Sequence, residues 1–550
     1  MDFLKTLPAD ELCKIVGQYD GLVVRSATKV TPNVLKHATK MRVIGRAGVG
    51  VDNINIPEAT KYGIMVMNTP GGNTVSTAQL AMSLLCNLAR KLPQADMLVK
   101  AGKWEKKALM GVEMGGKTLG IVGCGRIGQV VASCASSLGM KVIGFDPVMT
   151  PEQMAEANIA RVDLEDIWKQ SDFITVHTPL TPQTQNLIGD ETIAKCKHGV
   201  RIINCARGGI VDGKTTLLYI FLHICSLDNL HAYIQLCIVS VEAALLRALE
   251  SGKVAGAALD VYTSEPPKAE LMPLLSHPNV VCTPHLGAST DEAQVNVSRD
   301  IAVQMCDVFD QRDYVGIVNV SYMAAATQPP MKPFMQLALI MGTLVSQLSS
   351  SRIVGVELKT WGGRDVSITS KQARQLLEAK VLKGILKHAG LGLNPDIISA
   401  PLMARENGIE SIVSEALPEN VGSPYWNLVN VTVTREDGSS SSITGSVFGK
   451  VPQIVHIDQY DDLFSFRPEG NHILTFRNDD RPGAIAEVLE ILGSADINVG
   501  NVNVARSKTA APGQSRALCF MALDDDVPTN AMNALRSLPS LHHVAKIQLR

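Results

Sequence analysis

The stretch Gly120–Gly128, "GIVGCGRIG", decides the reading of this chain. It spaces three glycines as Gly123-x-Gly125-x-x-Gly128. The apolar run "LGIV" leads in as a strand, and "RIGQVVASCASSL" leads out at helical spacing. In that context the first glycine makes a tight turn, the second lets backbone amides at a helix N-terminus approach a pyrophosphate, and the third allows close helix–strand packing. Asp146 follows in "VIGFDP", eighteen residues after Gly128 (146 − 128), at the end of the next apolar run. A carboxylate there accepts ribose hydroxyls and repels a 2′-phosphate, which favours NAD over NADP as cofactor.

Around this unit the chain alternates strands and helices. "GLVVRS", "RVIGRAG" and "GIMVMNTP" precede it, with the long apolar-periodic run Thr74–Trp104 between. "DFITVHTPL", "VRIINCA", "VAGAALDVY" and "NVVCTPHLGAS" follow as buried-type strands. The pattern predicts an α/β class with two doubly wound parallel-sheet (Rossmann-like) domains. The expected divisions are 1–70 plus 288–318 and 71–287. "ATQPPMKPF" reads as a linker. Beyond it, 330–468 reads as an α+β intervening domain, and 471–550 runs strand, helix, strand, strand, helix, strand, which is ferredoxin-like.

Composition excludes several classes. Lys and Arg number 51 against 53 Asp and Glu, a net charge of −2, so no broad nucleic-acid surface is expected. No apolar run reaches the ~18–20 residues of a spanning helix, so no membrane partner is expected. The eleven cysteines are scattered, without a C-x-x-C pair. This fits a reducing, cytoplasmic setting and no metal.

Three ionisable residues close predicted strands of the second domain: Arg207 after "IINCA", Glu265 after "ALDVYTS" and His285 after "VVCTP". In an open parallel sheet, ligands bind outside the carboxyl ends of the strands, so all three converge on the cofactor crevice. Together, "VGCGRIG", "FDP", "HTPLTPQT", "INCARGG", "ALDVYTSEPP" and "TPHLGAST" resemble the D-2-hydroxyacid dehydrogenase family. "GRAGVGVDN", "NTPGGNT" and the long C-terminal extension resemble its branch that acts on 3-phosphoglycerate at the head of serine biosynthesis. The resemblance implies oxidation of 3-phosphoglycerate to 3-phosphohydroxypyruvate. It makes His285 the general base, Glu265 the group that orients its ring, and Arg207 the holder of the substrate carboxylate. It places Gly123, Gly125, Arg126, Ile127, Gly128, Asp146, Thr178, Cys205, Ala206 and Asp260 on the cofactor, and Arg25, Arg46 and Lys106 on the substrate. The tail resembles an ACT domain, in which Asn478, Asp480 and Asn498 match positions that bind L-serine between two such domains in inhibited relatives. A homotetramer is implied. A family member reducing glyoxylate or hydroxypyruvate, or a catalytically impaired effector-binding variant, is the rival reading.

Two departures stand out. The strand and helix that open the family's first domain are not found here, so one sheet is expected to lack a strand and expose an edge. The second departure is the block Gly213–Val241. Removing it closes the family text as Asp212-Glu242. The block starts Gly-Lys, whose codons can read GGTAAG, an intron start. Translated intron sequence and a genuine insertion are the two origins, and sequencing spliced transcripts separates them. The join also creates "GGIVDGKT", Gly208–Thr215, a match to the phosphate-loop pattern G-x-x-x-x-G-K-[ST]. The pattern straddles the boundary, and its first two glycines belong to the dehydrogenase motif, so a nucleotide-triphosphatase reading is set aside.

Overall fold

The computed structural model describes residues 2, 4, 7–211, 243–349, 351–362, 368–389, 395–415, 427–458, 460, 465–468, 470, 472–507 and 516–549. The inserted block, and with it Gly213, Lys214 and Thr215, lies outside the described residues. The chain divides into two compact units, 69–300 and 1–68 with 301–550.

The unit that opens the chain, 1–68 with 301–550, begins with a three-stranded parallel sheet, so the strands are numbered from there: β1 (Gly21–Val24), β2 (Val43–Arg46) and β3 (Met65–Asn68), in spatial order β1-β2-β3. Among the described residues this sheet shows no reversal of strand order. The helix Asp291–Phe309 covers it. Ile301 and Met305 fill the space over Gly45, and Met305 with Phe309 lies against Gly21. The β3 edge is covered by 316–319: Asn68 N–H donates to Gly316 O and Val318 N–H to Val66 O, at 2.9 and 2.8 Å. That pairing covers one edge of the sheet, and β1 forms the other.

Unit 69–300 holds the sheet that positions the site. Its strands are β4 (Thr118–Val122), β5 (Lys141–Phe145), β6 (Ala160–Arg161), β7 (Phe173–Val176), β8 (Val200–Asn204), β9 (Val254–Leu259) and β10 (Val280–Cys282). All pairs are parallel, in the order β10-β9-β8-β7-β4-β5-β6. The order reverses between β4 and β7, which opens a crevice at their carboxyl ends. Alternation along β4 sends Leu119 and Ile121 to one face, with Leu84, Leu85, Val131 and Ala135. Val122 faces the other way, with Ile167, Trp168, Leu245 and Leu249. The long apolar run after β3 is two helices, Thr74–Arg90 and Leu92–Lys100. Lys91 takes a left-handed conformation (φ 51°) just before Pro93 begins a new first turn, so periodicity alone does not reveal the break.

The remaining residues form two further sheets. β11 (Ile353–Trp361), β12 (Glu410–Glu415), β13 (Leu428–Arg435), β14 (Ser440–Phe448) and β15 (Val451–Ile457) lie in the order β12-β11-β13-β14-β15 beside the helices Met331–Gln347 and Lys371–His388. The first of these helices starts inside the expected linker, with Pro333 in its first turn, where the missing N–H leaves no helical bond unmade. β16 (His472–Asp479), β17 (Val499–Arg506), β18 (Arg516–Leu523) and β19 (Leu541–Gln548) form an antiparallel sheet, β17-β18-β16-β19, the ferredoxin-like order. Phe466 joins the two modules. Its backbone exchanges two 2.9 Å hydrogen bonds with Ile454 in β15, and its ring packs 5.0 Å from that of Phe520 in β18. Gln347 adds a second tie, its amide pairing with both the N–H and C=O of Gln548 on β19.

Candidate active site

The glycine turn has the geometry its spacing predicts. Gly123 sits at φ 93°, and a Cβ there would meet His177 O at 2.7 Å and Thr178 Cγ2 at 2.9 Å. Gly128 leaves no room either: a Cβ would stand 2.3 Å from Gly123 O. Gly125 is different. A Cβ on it would meet nothing within 4 Å, and it caps the helix Arg126–Ser137 with no side chain over the free N–H groups. That leaves a polar cradle open at the end of a twelve-residue helix, next to exposed Arg126 and half-buried Ile127.

Asp146, just past β5, accepts three backbone N–H groups: Cys124 at 2.9 Å, Val148 at 2.8 Å and Met149 at 3.1 Å. The carboxylate therefore braces the glycine turn and keeps lone-pair capacity for one more donor. Burial, with the Asp146 charge beside it, pushes the Cys124 thiol up to about 12, so it stays an inert, protonated filler. Across the crevice, Thr178 Oγ1 follows β7 and is buried without a partner. An orphaned hydroxyl beside an open helix N-terminus and a ribose-suited carboxylate is what a bound dinucleotide would satisfy. His177 next to it is partly covered overall, but its Nδ1 is buried and unpartnered and its Nε2 lies 3.0 Å from Thr175 Oγ1. Burial pushes this imidazole down to about 4, so it is neutral.

Three further loops leave the same sheet edge. After β8, Cys205 and Ala206 are buried, and burial raises the Cys205 thiol. The fully buried Asn204 shapes this loop by accepting Ala206 N–H (3.0 Å) and donating to Arg207 O (2.9 Å). The Arg207 guanidinium itself donates to Ala206 O at 2.6 Å. After β10, His285 adopts a left-handed backbone (φ 54°). Asp260, buried at the end of β9, holds that turn. Its carboxylate accepts Thr283 Oγ1 (2.6 Å), Leu286 N–H (2.7 Å) and Gly287 N–H (3.1 Å), and its carbonyl accepts His285 N–H. Burial raises the Asp260 carboxyl above its usual range, against the pull of those bonds. Its described bonds thus serve the His285 turn rather than a ligand.

His285 Nδ1 pairs with Glu265 Oε2 at 2.7 Å, with about half of the imidazole and 39% of the carboxylate side chain exposed. The pair is reachable from solvent, and Nε2 is the ring nitrogen that Glu265 does not engage. Arg207, Glu265 and His285 therefore lie on loops after β8, β9 and β10, one adjacent strand apart. Sequence reading missed Asn204 and Tyr262, which hold these loops. "N-C-A-R" carries a signal for the first, since a buried Asn closing a strand needs nearby backbone partners.

The other expected residues are placed as follows. Lys106 is exposed in unit 69–300, with its ammonium 5.6 Å from the centre of the Trp104 ring. Arg25 and Arg46 belong to the other unit, following β1 and ending β2; Arg46 donates to Ala47 O at 3.1 Å. Asn478 and Asn498 do not meet within one chain. Register puts Asn478 opposite Ala517, while Val499 lies opposite Leu523, so the two asparagines are at opposite ends of the sheet, about 20 Å apart. Asp480, near Asn478, pairs with Arg506 at 2.9 Å, and Asn498 donates to Asp524 at 2.7 Å. Asn478 is buried with its Oδ1 unpartnered.

Comparison with known proteins agrees with this geometry. Residues 82–219 and 238–287 match the D-isomer specific 2-hydroxyacid dehydrogenase NAD-binding domain, 330–458 the D-3-phosphoglycerate dehydrogenase intervening domain, and 472–540 the ACT domain. The D-3-phosphoglycerate dehydrogenase of Pongo abelii is 43% identical over 412 residues, covering 75% of this chain and 70% of that protein. The chain belongs to the D-3-phosphoglycerate dehydrogenase family. The D-3-phosphoglycerate dehydrogenase of Methanocaldococcus jannaschii is 37% identical over 99% of this chain and 94% of its own, and that of Synechocystis 35% over 100% and 91%. As a family member the chain is an NAD-dependent dehydrogenase. The match to the NAD-binding domain skips 220–237, inside the block read as foreign to the family. No helix among the described residues is long and apolar enough to cross a membrane.

Proposed function

We propose that the chain oxidises 3-phosphoglycerate to 3-phosphohydroxypyruvate with NAD, the reaction that opens phosphorylated serine biosynthesis. The observation that carries this reading is the 2.7 Å His285–Glu265 pair on the same sheet edge as Arg207 and the open glycine turn. NAD, when bound, would supply the acceptor for the hydride that leaves substrate C2. Gly123, Gly125, Arg126, Ile127 and Gly128 would hold its pyrophosphate, Asp146 its ribose, and Thr178, Cys205 and Ala206 its remaining length. Asp260 would act on it indirectly, through the turn at 283–287.

The protein side of the reaction is a proton transfer with an anchored anion. Glu265 fixes His285 through Nδ1, so Nε2 takes the proton of the substrate 2-hydroxyl, and returns it in the reverse direction. Arg207 offers a planar, permanently charged fork to the substrate carboxylate. Asn204 keeps that fork in place by clamping the backbone beneath it.

The ACT module supports an amino-acid effector, and L-serine is the one proposed. Its site would draw Asn478 and Asp480 from one copy and Asn498 from another, since one chain separates them. That arrangement makes a homo-oligomer, with a tetramer as the proposed state, and a cytoplasmic setting suits the chemistry. The test is a substrate panel with NADH: a kcat/KM for 3-phosphohydroxypyruvate at least tenfold above those for hydroxypyruvate and glyoxylate supports the reading, and the reverse order replaces it with a general 2-oxoacid reductase. Running it beside a chain lacking 213–241 shows what the inserted block does to the rate.

A further inference from the structure

Arg207, Glu265 and His285 stand on three separate loops, and the proposed chemistry needs them registered to within fractions of an ångström. Tyr262 reaches all three loops. It follows β9 and is half-buried. Its phenol oxygen lies 3.0 Å from Leu259 O and 2.9 Å from Thr283 O, so its single proton is shared between the end of β9 and the residue just past β10. Thr283 O is also the acceptor of His285 N–H at 3.0 Å, so the phenol grips the carbonyl on which the His285 turn closes. The backbone N–H of Tyr262 donates to Glu265 Oε1 at 3.3 Å, the carboxylate oxygen that His285 does not use. Its carbonyl faces the Arg207 loop: a Cβ on Gly208 would stand 2.0 Å from Tyr262 O, so the two backbones pack with no side chain between them. Burial, and then the neighbouring Cys282, raises the phenol well above its usual range, which keeps it a donor.

We propose that Tyr262 is a positioning residue of the reaction, its hydroxyl setting His285 against Glu265 while its backbone seats Glu265 and the Arg207 loop. The inference rests on the function proposed above. Asp260 holds the same turn from inside the protein; Tyr262 holds it from the side facing Glu265, and it touches the loops after β8, β9 and β10.

Tyr262→Phe tests it by deleting one oxygen while keeping the backbone N–H and C=O. On the full chain, kcat with 3-phosphohydroxypyruvate falls roughly tenfold, because a drifting base is felt in the transition state. KM and the NADH dissociation constant stay within twofold. In a Glu265→Gln background the same substitution costs less than twofold, since the pairing it serves is already broken. Amide exchange at His285, Leu286 and Gly287 speeds up in Tyr262→Phe, whether or not the protein turns over. A lower Tm with kcat unchanged makes Tyr262 merely structural and overturns the proposal, as does unchanged exchange at 285–287. If the unsubstituted chain reduces none of the 2-oxo acids, the functional reading fails separately, and the exchange measurement alone then decides the positioning claim.

Discussion

Gly125 and Gly128 are two glycines of one motif that the structure asks to do different things. At Gly128 a methyl group would stand 2.3 Å from Gly123 O, whereas real Cβ atoms stay at least 3.0 Å from their neighbours. The helix Arg126–Ser137 must then retreat from the turn by about 0.7 Å (3.0 − 2.3). Overpacking of this kind costs about 1–3 kcal/mol, and the better helix propensity of alanine returns at most ~1 kcal/mol. Gly128→Ala is therefore expected to lower stability by about 1–2 kcal/mol, or roughly 2–8 °C in Tm at about 2–4 °C per kcal/mol. At Gly125 the methyl meets nothing in the protein, and φ is −66°, which alanine adopts freely. Gly125→Ala should leave Tm within about 1 °C. The methyl instead enters the space above the free N–H groups, where a pyrophosphate would approach. Losing one charge-assisted hydrogen bond there is worth about 1.5–3 kcal/mol, roughly tenfold to a hundredfold in affinity. Fluorescence titration with NADH and a thermal melt on each variant separate the two effects. If Gly125→Ala binds NADH as tightly as the unsubstituted chain, the helix N-terminus is not the cofactor cradle and the reasoning fails.

Other outcomes follow from single contacts. His177 is held near 4 from an ordinary 6.5 by burial, so its folded form refuses a proton that the unfolded chain takes up; stability present above pH 6.5 is lost as pH falls toward 4, by on the order of 3 kcal/mol. Urea unfolding from pH 7.5 to 4 should fall less steeply for His177→Gln, and an identical slope would refute the assignment. Asp260→Asn turns an amide toward the Gly287 N–H and should cost about 1–3 kcal/mol, with kcat falling more than tenfold; an unchanged Tm would show that the carboxylate does not hold the turn. Phe466→Ala removes a fully buried ring and should cost about 3–5 kcal/mol. Limited proteolysis should then cut near 460–470 faster, and equal cleavage rates would deny Phe466 its joining role.

The fold was legible wherever one local rule decided it. The glycine spacing, the apolar strands and the single Asp146 place the cofactor crevice without tertiary knowledge, because each acts on its own turn. Arg207, Glu265 and His285 were legible because a parallel sheet gathers all its carboxyl ends on one edge. Tyr262 was not, because its role depends on Gly208 from another loop coming within contact of its carbonyl, and no spacing encodes that approach. Asp260 reads in sequence as one more cofactor residue; only the fold shows its oxygens spent on 283–287. The helix at Met331 hid behind prolines that its first turn tolerates. Asn478 and Asn498 look like one site in sequence, yet strand register sets them at opposite ends of a sheet.

The most direct test of the central claim is the initial rate of NADH oxidation with 3-phosphohydroxypyruvate, measured for the chain and for His285→Asn, each with and without 213–241. The account expects turnover that drops at least a hundredfold in His285→Asn, with NADH binding unchanged. Turnover that survives the loss of His285 would contradict it.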